Sequence, residues 1–334
     1  MPLIVDRNHV IDIYAEAEEK KWVLPAFNAE NLTSCEAILE AVYKFGKSKE
    51  IKNLPIILGI TNKYPSRPQA VYYTHTRNWK VGIRLFLADL AVLTSAESPY
   101  RDLRVMIHID HLLWDVDKEL QSWDMNCFSS LMFDASSLPF EKNIEITSAF
   151  VEKYNRKVII EGASDEIGAT NISDKNYANS ADKVEEYFRK TRVDLVVTDL
   201  GTEHRTDNAN LKYNSELARD ITRRIGPKLC LHGTSSVIQD KLENLFDDGI
   251  RKVNVWTILE REGAKLLFQN MIENASKIVG PELANELVEA KFLGKKSALN
   301  KPLSLDYFPT TSRQEIIFQS MIQTISGYLH IWYK

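Results

Sequence analysis

Cysteine is scarce in this chain. Its 334 residues include three, Cys35, Cys127 and Cys230, with no paired spacing. That excludes a disulfide scaffold and a cysteine-rich zinc module, and it points to a reducing compartment. A basic surplus is missing as well. The 42 Lys and Arg stand against 46 Asp and Glu, a formal charge of −4, whereas a dedicated nucleic-acid binder carries a strong positive excess. No apolar run approaches the roughly 20 residues that a membrane-spanning helix needs. The opening Met1-Pro2-Leu3-Ile4-Val5-Asp6 has neither the basic stretch nor the apolar core of a signal peptide. There is no internal repeat, low-complexity tract or linker. The sequence thus predicts one cytoplasmic domain with no membrane and no nucleic-acid partner. Hydrophobic residues make up 44% and charged residues 26%, too apolar a balance for a disordered chain. Histidine is sparse too, with seven in all, and their positions carry most of the information.

Short apolar runs alternate with amphipathic helical stretches. The runs are 22–28, 54–60, 104–110, 130–134, 157–161, 194–200, 228–232 and 252–256. Most are rich in Val, Ile and Leu without strict alternation, as strands buried on both faces should be. Helical patterns follow at 33–42, where Thr33-Ser34-Cys35-Glu36 has capping-box spacing, and at 82–93, 140–154, 181–190, 214–225 and 236–246. Asp247-Asp248-Gly249 reads as a helix stop. Eight strands, most followed by a helix, within about 250 residues predict an α/β fold of the (β/α)8 TIM-barrel type. A doubly wound sheet would give the same alternation. The barrel is expected over about 22–279, with a helix at 6–19 plugging its bottom and a C-terminal helical extension over about 280–334. That extension ends in the apolar stretch 314–333, which should pack on its own barrel or on a partner subunit.

In such a barrel the C-terminal strand ends build the site. In order they present Asn28, Thr61, Asp110 with His111, Asp134, Glu161, His204, His232 and Asn254. Three histidines on three separate strand ends can converge on a catalytic metal with an open coordination position. Taken singly, each reads as an ordinary hydrogen-bonded histidine of the core or rim. In His108-Ile109-Asp110-His111, strand alternation puts His108 and Asp110 on one face and His111 on the other. If the strand ends near Asp110, both Asp110 and His111 can turn into the mouth. His108 then lies lower, as a satisfied core histidine or a functional one. Gly201, Gly233, Ser235 and Thr257 fall where such barrels hold phosphate through backbone N–H groups and a helix N-terminus. Ordinary turn and cap chemistry would use the same residues.

These segments resemble the class II, zinc-dependent fructose/tagatose-bisphosphate aldolase family over most of the chain, from about residue 22 to about 262. The segments PAFNAENLTSCEAILEA at 25–41, IHIDH at 107–111, MFDASSLPFEKNIEIT at 132–147, LGTEH at 200–204, LHGTSS at 231–236 and KVNVWT at 252–257 carry the likeness. The resemblance implies one zinc ion per subunit on His111, His204 and His232, with a monovalent cation as a further candidate. It implies Asp110 as the acid/base on the aldehyde-derived hydroxyl and Asn254 as a contact to the ketose or enediolate. Thr257, with the backbone near Gly201, Gly233 and Ser235, would hold phosphate. Asn28 and Thr61 would touch substrate, and Asp134 and Glu161 would support the ligands from behind. The activity implied is reversible carbon–carbon cleavage of a ketose phosphate, with dihydroxyacetone phosphate as one half. A homodimer or larger homo-oligomer is also implied.

The chain departs from that pattern at several places. Glu161-Gly162-Ala163 lacks the second acid of the family's Glu-x-Glu, and Gly168-Ala169-Thr170-Asn171 lacks the mobile-loop acid. Asp165, Glu166 and Asp174 are the nearby acids that could substitute. Thr234 and Ser236 stand where glycines are usual, and Trp256 occupies a small or polar position. Arg205 replaces a glycine and could pair with a carboxylate or phosphate. The missing loop acid leaves two alternatives open: epimerisation or isomerisation through the same metal chemistry, and a non-catalytic sugar-binding or partner-stabilising role.

Overall fold

A computed structural model describes residues 2–65, 67–165, 181–202, 213–234, 242–294 and 300–334. Its frame is eight parallel strands among the described residues: β1 (Leu24–Asn28), β2 (Pro55–Thr61), β3 (Arg104–Leu113), β4 (Ser130–Asp134), β5 (Ile159–Ala163), β6 (Leu195–Val197), β7 (Leu229–Leu231) and β8 (Ile250–Val255). Each pairs with the next, and β8 pairs back to β1 through Ala26 opposite Asn254, so the sheet closes. This is the expected TIM barrel, not an open doubly wound sheet. A two-residue strand at Leu3–Ile4, which the sequence pattern does not announce, adds to the outside of β3.

Helix α1 (Arg7–Glu19) lies at the N-terminal end of the barrel, where Arg7 binds Asp194 and Glu18 binds Arg251, and α2 (Leu32–Ser48), α3 (Trp79–Leu93), α4 (Phe140–Tyr154), α5 (Ala181–Thr191), α6 (Ser215–Ile225) and α7 (Thr257–Glu273) alternate with the strands. The cap of α2 falls earlier than the capping box read at Thr33–Glu36. Asn31 accepts from the Ser34 N–H, and the Ser34 hydroxyl accepts from the Asn31 N–H. A polar side chain at the true helix start outcompetes one already inside the first turn. Of the helix expected at 236–246, residues 236–241 lie outside the described residues and 243–249 form turns, which end on Gly249 at a left-handed φ of +91°.

The C-terminal extension holds α8 (Pro281–Glu289) and α9 (Thr310–Trp332). The apolar tail packs on its own barrel. Met321, Ile325, Leu329, Trp332 and Tyr333 are buried in the main core, the Tyr333 hydroxyl donates to the Pro55 carbonyl at 2.5 Å, and the Trp332 indole donates to Leu242 at 3.2 Å. No described helix is long and apolar enough to cross a membrane.

Candidate active site at the C-terminal mouth

β3 does not end near Asp110 as the sequence reading supposed. It continues to Leu113, and its register against β4 shifts between Ile109 and Leu112. His111 sits in that bulge at φ +49°. The left-handed residue turns His111 toward the mouth while Asp110 keeps its inward place, so neighbours on a strand can share one site. A non-glycine residue held there costs of order 1–3 kcal/mol, a local strain typical of functional positions.

Asp110 is buried, and each of its oxygens is held by an amide. Asn28 Nδ2 donates to Oδ2 at 2.7 Å from the end of β1, and Asn254 Nδ2 donates to Oδ1 at 3.1 Å from β8. His111 Nδ1 lies 2.7 Å from Asp134 Oδ2, at the end of β4. The other Asp134 oxygen accepts from the Ser136 N–H and hydroxyl at 3.1 and 2.6 Å. Burial pushes the Asp134 carboxyl up, but the His111 and Ser136 contacts outweigh it and hold the group below its ordinary range. An imidazole whose Nδ1 is bound to a carboxylate presents Nε2 outward, the usual arrangement behind a metal-ligating histidine. His232, just past β7, packs edge-on to His111 with ring centres 5.4 Å apart.

Among the described residues, Asp110, His111 and His232 form a three-residue donor group, with candidate ligand atoms all within 4.8 Å of one another. That is close to what one ion spans, and the His111 and His232 imidazoles suit zinc, with Asp110 beside them as a neighbouring acid. The residues present therefore fit the metal. The third expected ligand, His204, lies outside the described residues, as do Arg205 and Ser235.

The remaining expected site residues divide. Asn28, Thr61, Gly233, Asn254 and Thr257 all line the cavity above the donor group. Thr61 has its hydroxyl committed, since it donates to the Arg67 carbonyl and accepts from the Gln69 N–H at 3.1 Å. Gly201 is exposed, and its N–H donates to Asp199 at 2.8 Å, so it is tied into its own turn. Thr234, standing where the resemblance leads one to expect glycine, turns its hydroxyl onto the Asn254 carbonyl at 2.8 Å and fastens β7 to β8. Thr257 begins α7, whose preceding Trp256 supplies no side-chain cap. Trp256 and Thr257 both line the cavity, so α7 starts at its wall.

Glu161 lies deeper than a ligand-supporting role from behind the metal would require. It is fully buried below the mouth, and its oxygens lie 2.7 and 2.9 Å from the Lys252 ammonium. His108 belongs to the same layer, its Nε2 3.2 Å from Lys252 and its Nδ1 2.9 Å from the Ser130 hydroxyl. Ammonium groups only donate, so His108 Nε2 accepts and Nδ1 carries the proton. Burial, then the neighbouring Lys252 charge, hold the His108 imidazole well below its ordinary pKa and neutral. Of the substitute acids, Asp165 is fixed to the end of β6 by the Thr198 hydroxyl at 2.8 Å, and burial pushes it up to about 6. Glu166 and Asp174, with the loop at 168–171, lie outside the described residues.

Three features escaped the sequence reading. Tyr64 stacks on His111, with ring centres 4.3 Å apart at 18°. Arg67 and Gln69 both bind the buried Glu30 at the cavity rim. Lys252 sits under Asn254. Only the last had a signal, because residues two apart on a strand share a face.

A profile described as fructose-bisphosphate aldolase class-II matches residues 8–299. A fructose-bisphosphate aldolase of Staphylococcus epidermidis is 28% identical over 304 residues, covering 88% of this chain and 96% of the relative. A D-tagatose-1,6-bisphosphate aldolase subunit of Klebsiella oxytoca is 27% identical over 255 residues, covering 73% of this chain and 79% of the relative. Among solved structures, a fructose-bisphosphate aldolase of Campylobacter jejuni superposes with a TM-score of 0.75 at 18% identity, covering 99% of this chain and 94% of that one. The YdjI aldolase of Escherichia coli K12 gives 0.64 at 15% identity, covering 96% and 94%. At those identities the structural likenesses speak for the fold alone.

Proposed function

Because this chain belongs to the class II fructose-bisphosphate aldolase family, and so to the lyases, we propose that it is a zinc-dependent aldolase acting on a ketose phosphate, with dihydroxyacetone phosphate as the ketone half. The observation that carries the reading is the donor group at the mouth, where Asp110, His111 and His232 converge and Asp110 is held on both oxygens. His111, His232 and His204 would hold the ion. When bound, zinc supplies Lewis-acid stabilisation of the negative charge that develops on the ketone half.

The chain's own residues account for the rest. Asp110, oriented by two amide donors, takes the proton from the hydroxyl beside the scissile bond. That oxygen becomes the aldehyde carbonyl, the carbon–carbon bond breaks, and its electron pair passes to the ketone half as an enediolate. Asn254 holds a donor N–H beside Asp110 where that charge gathers. Thr257 and the N-terminus of α7 hold the phosphate, and Gly233 leaves backbone room beside it. Lys252 supplies no Schiff base, since all three of its N–H donors are occupied within the barrel. The exposed Phe268, Phe292 and Leu305 support contact between subunits of a homodimer or larger homo-oligomer.

The test is zinc content together with product identity. Protein purified without chelators should carry zinc in stoichiometric amount, and His232→Ala should lose it. A ketose-phosphate panel should yield a trappable aldehyde. An epimeric ketose without free aldehyde would overturn cleavage, and absence of zinc would overturn the metal assignment.

A further inference from the structure

The two amides that hold Asp110 are not equivalent. Asn28 meets Asp110 through Nδ2, while its Oδ1 is buried without a hydrogen-bond partner among the described residues. Asn254 is held at both ends. Its Nδ2 donates to Asp110 at 3.1 Å, and its Oδ1 accepts from Lys252 at 2.7 Å. Lys252 is itself fixed. It is fully buried, and its other two donors go to Glu161 at 2.9 Å and to the neutral His108 at 3.2 Å. A continuous path thus runs from the Glu161 carboxylate through the Lys252 ammonium and the Asn254 amide to Asp110.

We propose that Lys252 is a positioning residue, which fixes the Asn254 amide with its N–H toward the reacting centre throughout the catalytic cycle. Held at Asp110 alone, at 3.1 Å, the Asn254 amide would be fixed at one end only. An unanchored amide could rotate and present its oxygen to the negative enediolate. Lys252 prevents this, because an ammonium cannot donate to an amide nitrogen and so keeps Oδ1 on its own side. The cation at Oδ1 also polarises the amide and strengthens its N–H as a donor. Glu161 holds the ammonium in place and balances a charge that would otherwise be costly to bury.

The proposal rests on the aldolase reading, and a double-mutant cycle on kcat separates the two. The metal-loaded full chain is compared with Lys252→Met, Asn254→Ala and the double variant, on the best ketose phosphate of the panel. Lys252→Met should lower kcat at least about tenfold, approaching the loss expected for a misplaced charge-stabilising donor, with a smaller change in KM. In the Asn254→Ala background the same substitution should change kcat less than twofold. If Lys252→Met does not fold, Lys252→Met/Glu161→Gln, which removes both buried charges, takes its place in both arms. A loss of equal size in both backgrounds, or a kcat within twofold of the unsubstituted chain, overturns the positioning role and leaves the aldolase reading intact. An unsubstituted, metal-loaded chain that releases no aldehyde overturns the aldolase reading and this inference with it.

Discussion

At the C-terminal end of the barrel, polar groups from separate strands converge on one point. Asp110, His111, His232 and Asn254 crowd a small cavity, His111 is held in a left-handed conformation, and Asn28 keeps a buried oxygen without a partner among the described residues. At the N-terminal end the charges are dispersed and paired. Arg7 of α1 binds Asp194 at 2.9 Å and the Val158 carbonyl at 2.7 Å, and Arg251 binds Glu18 of α1 at 2.9 Å. One end stores unfavourable features in a confined volume. The other spends its polar groups closing α1 against the barrel floor. The contrast teaches a division of labour: substitutions at the mouth should cost turnover, and substitutions at the floor should cost stability.

The largest expected effect breaks the mouth. Asp110→Ala should lower kcat/KM by about 10² to 10⁴, the usual range for a positioned proton-transfer group, yet keep zinc bound and melt near the parent temperature. Retained turnover would remove Asp110 from its role. Next is Gly59→Ala on β2. A Cβ there would lie 2.3 Å from Asn28 Oδ1, because Asn28 and Gly59 are register partners. Asn28 must shift and loosen Asp110. A loss of about tenfold to 10² in kcat is expected, with about 1–3 kcal/mol of destabilisation from overpacking. Steady-state kinetics beside denaturant melts would separate the two components.

At the floor, Asp194→Ala removes the Arg7 pair and the acceptor for the Ile160 N–H at 2.8 Å. It should cost about 1–3 kcal/mol with kcat changed less than about twofold, a margin set by independence of distant sites. A large kcat loss without loss of stability would break the comparison. The smallest effect concerns Glu260 in the first turn of α7. Burial, then the charge of Glu30, push its carboxyl up to about 7, against the opposing pull of Arg67. The folded state therefore keeps a proton that the unfolded chain releases near its ordinary value, and stability falls as pH rises through that window. Glu260→Gln should flatten this slope. Its gain over the parent should reach on the order of 1 kcal/mol at about pH 8 and vanish near pH 4. Parallel pH-dependent melts would show it.

The fold was legible because buried parallel strands write themselves as apolar runs, and all eight runs became strands within a few residues. The candidate site was legible where a polar residue ended a run, as with Asn28 and Asp134. How His111 reaches the mouth was not, because a bulge is decided by pairing between β3 and β4 and leaves no mark in local composition. Tyr64 could not be placed, since it lies in a loop whose path depends on contacts such as Thr61 with Arg67 and Gln69. Lys252 was readable from alternation with Asn254, but a lysine inside a barrel makes sense only once Glu161 and His108 are seen opposite it. Gly201 carried the right residue type for a phosphate cradle, and Thr234 stood where a glycine is usual. The structure commits the Gly201 N–H and the Thr234 hydroxyl to hydrogen bonds within the scaffold.

The most direct test is aldehyde release from a ketose phosphate by the same preparation before chelation, after chelation, and after zinc is restored. The account predicts release, its loss on chelation, and its return with zinc. Undiminished release from the metal-free chain would contradict a metal-dependent cleavage built on His111 and His232.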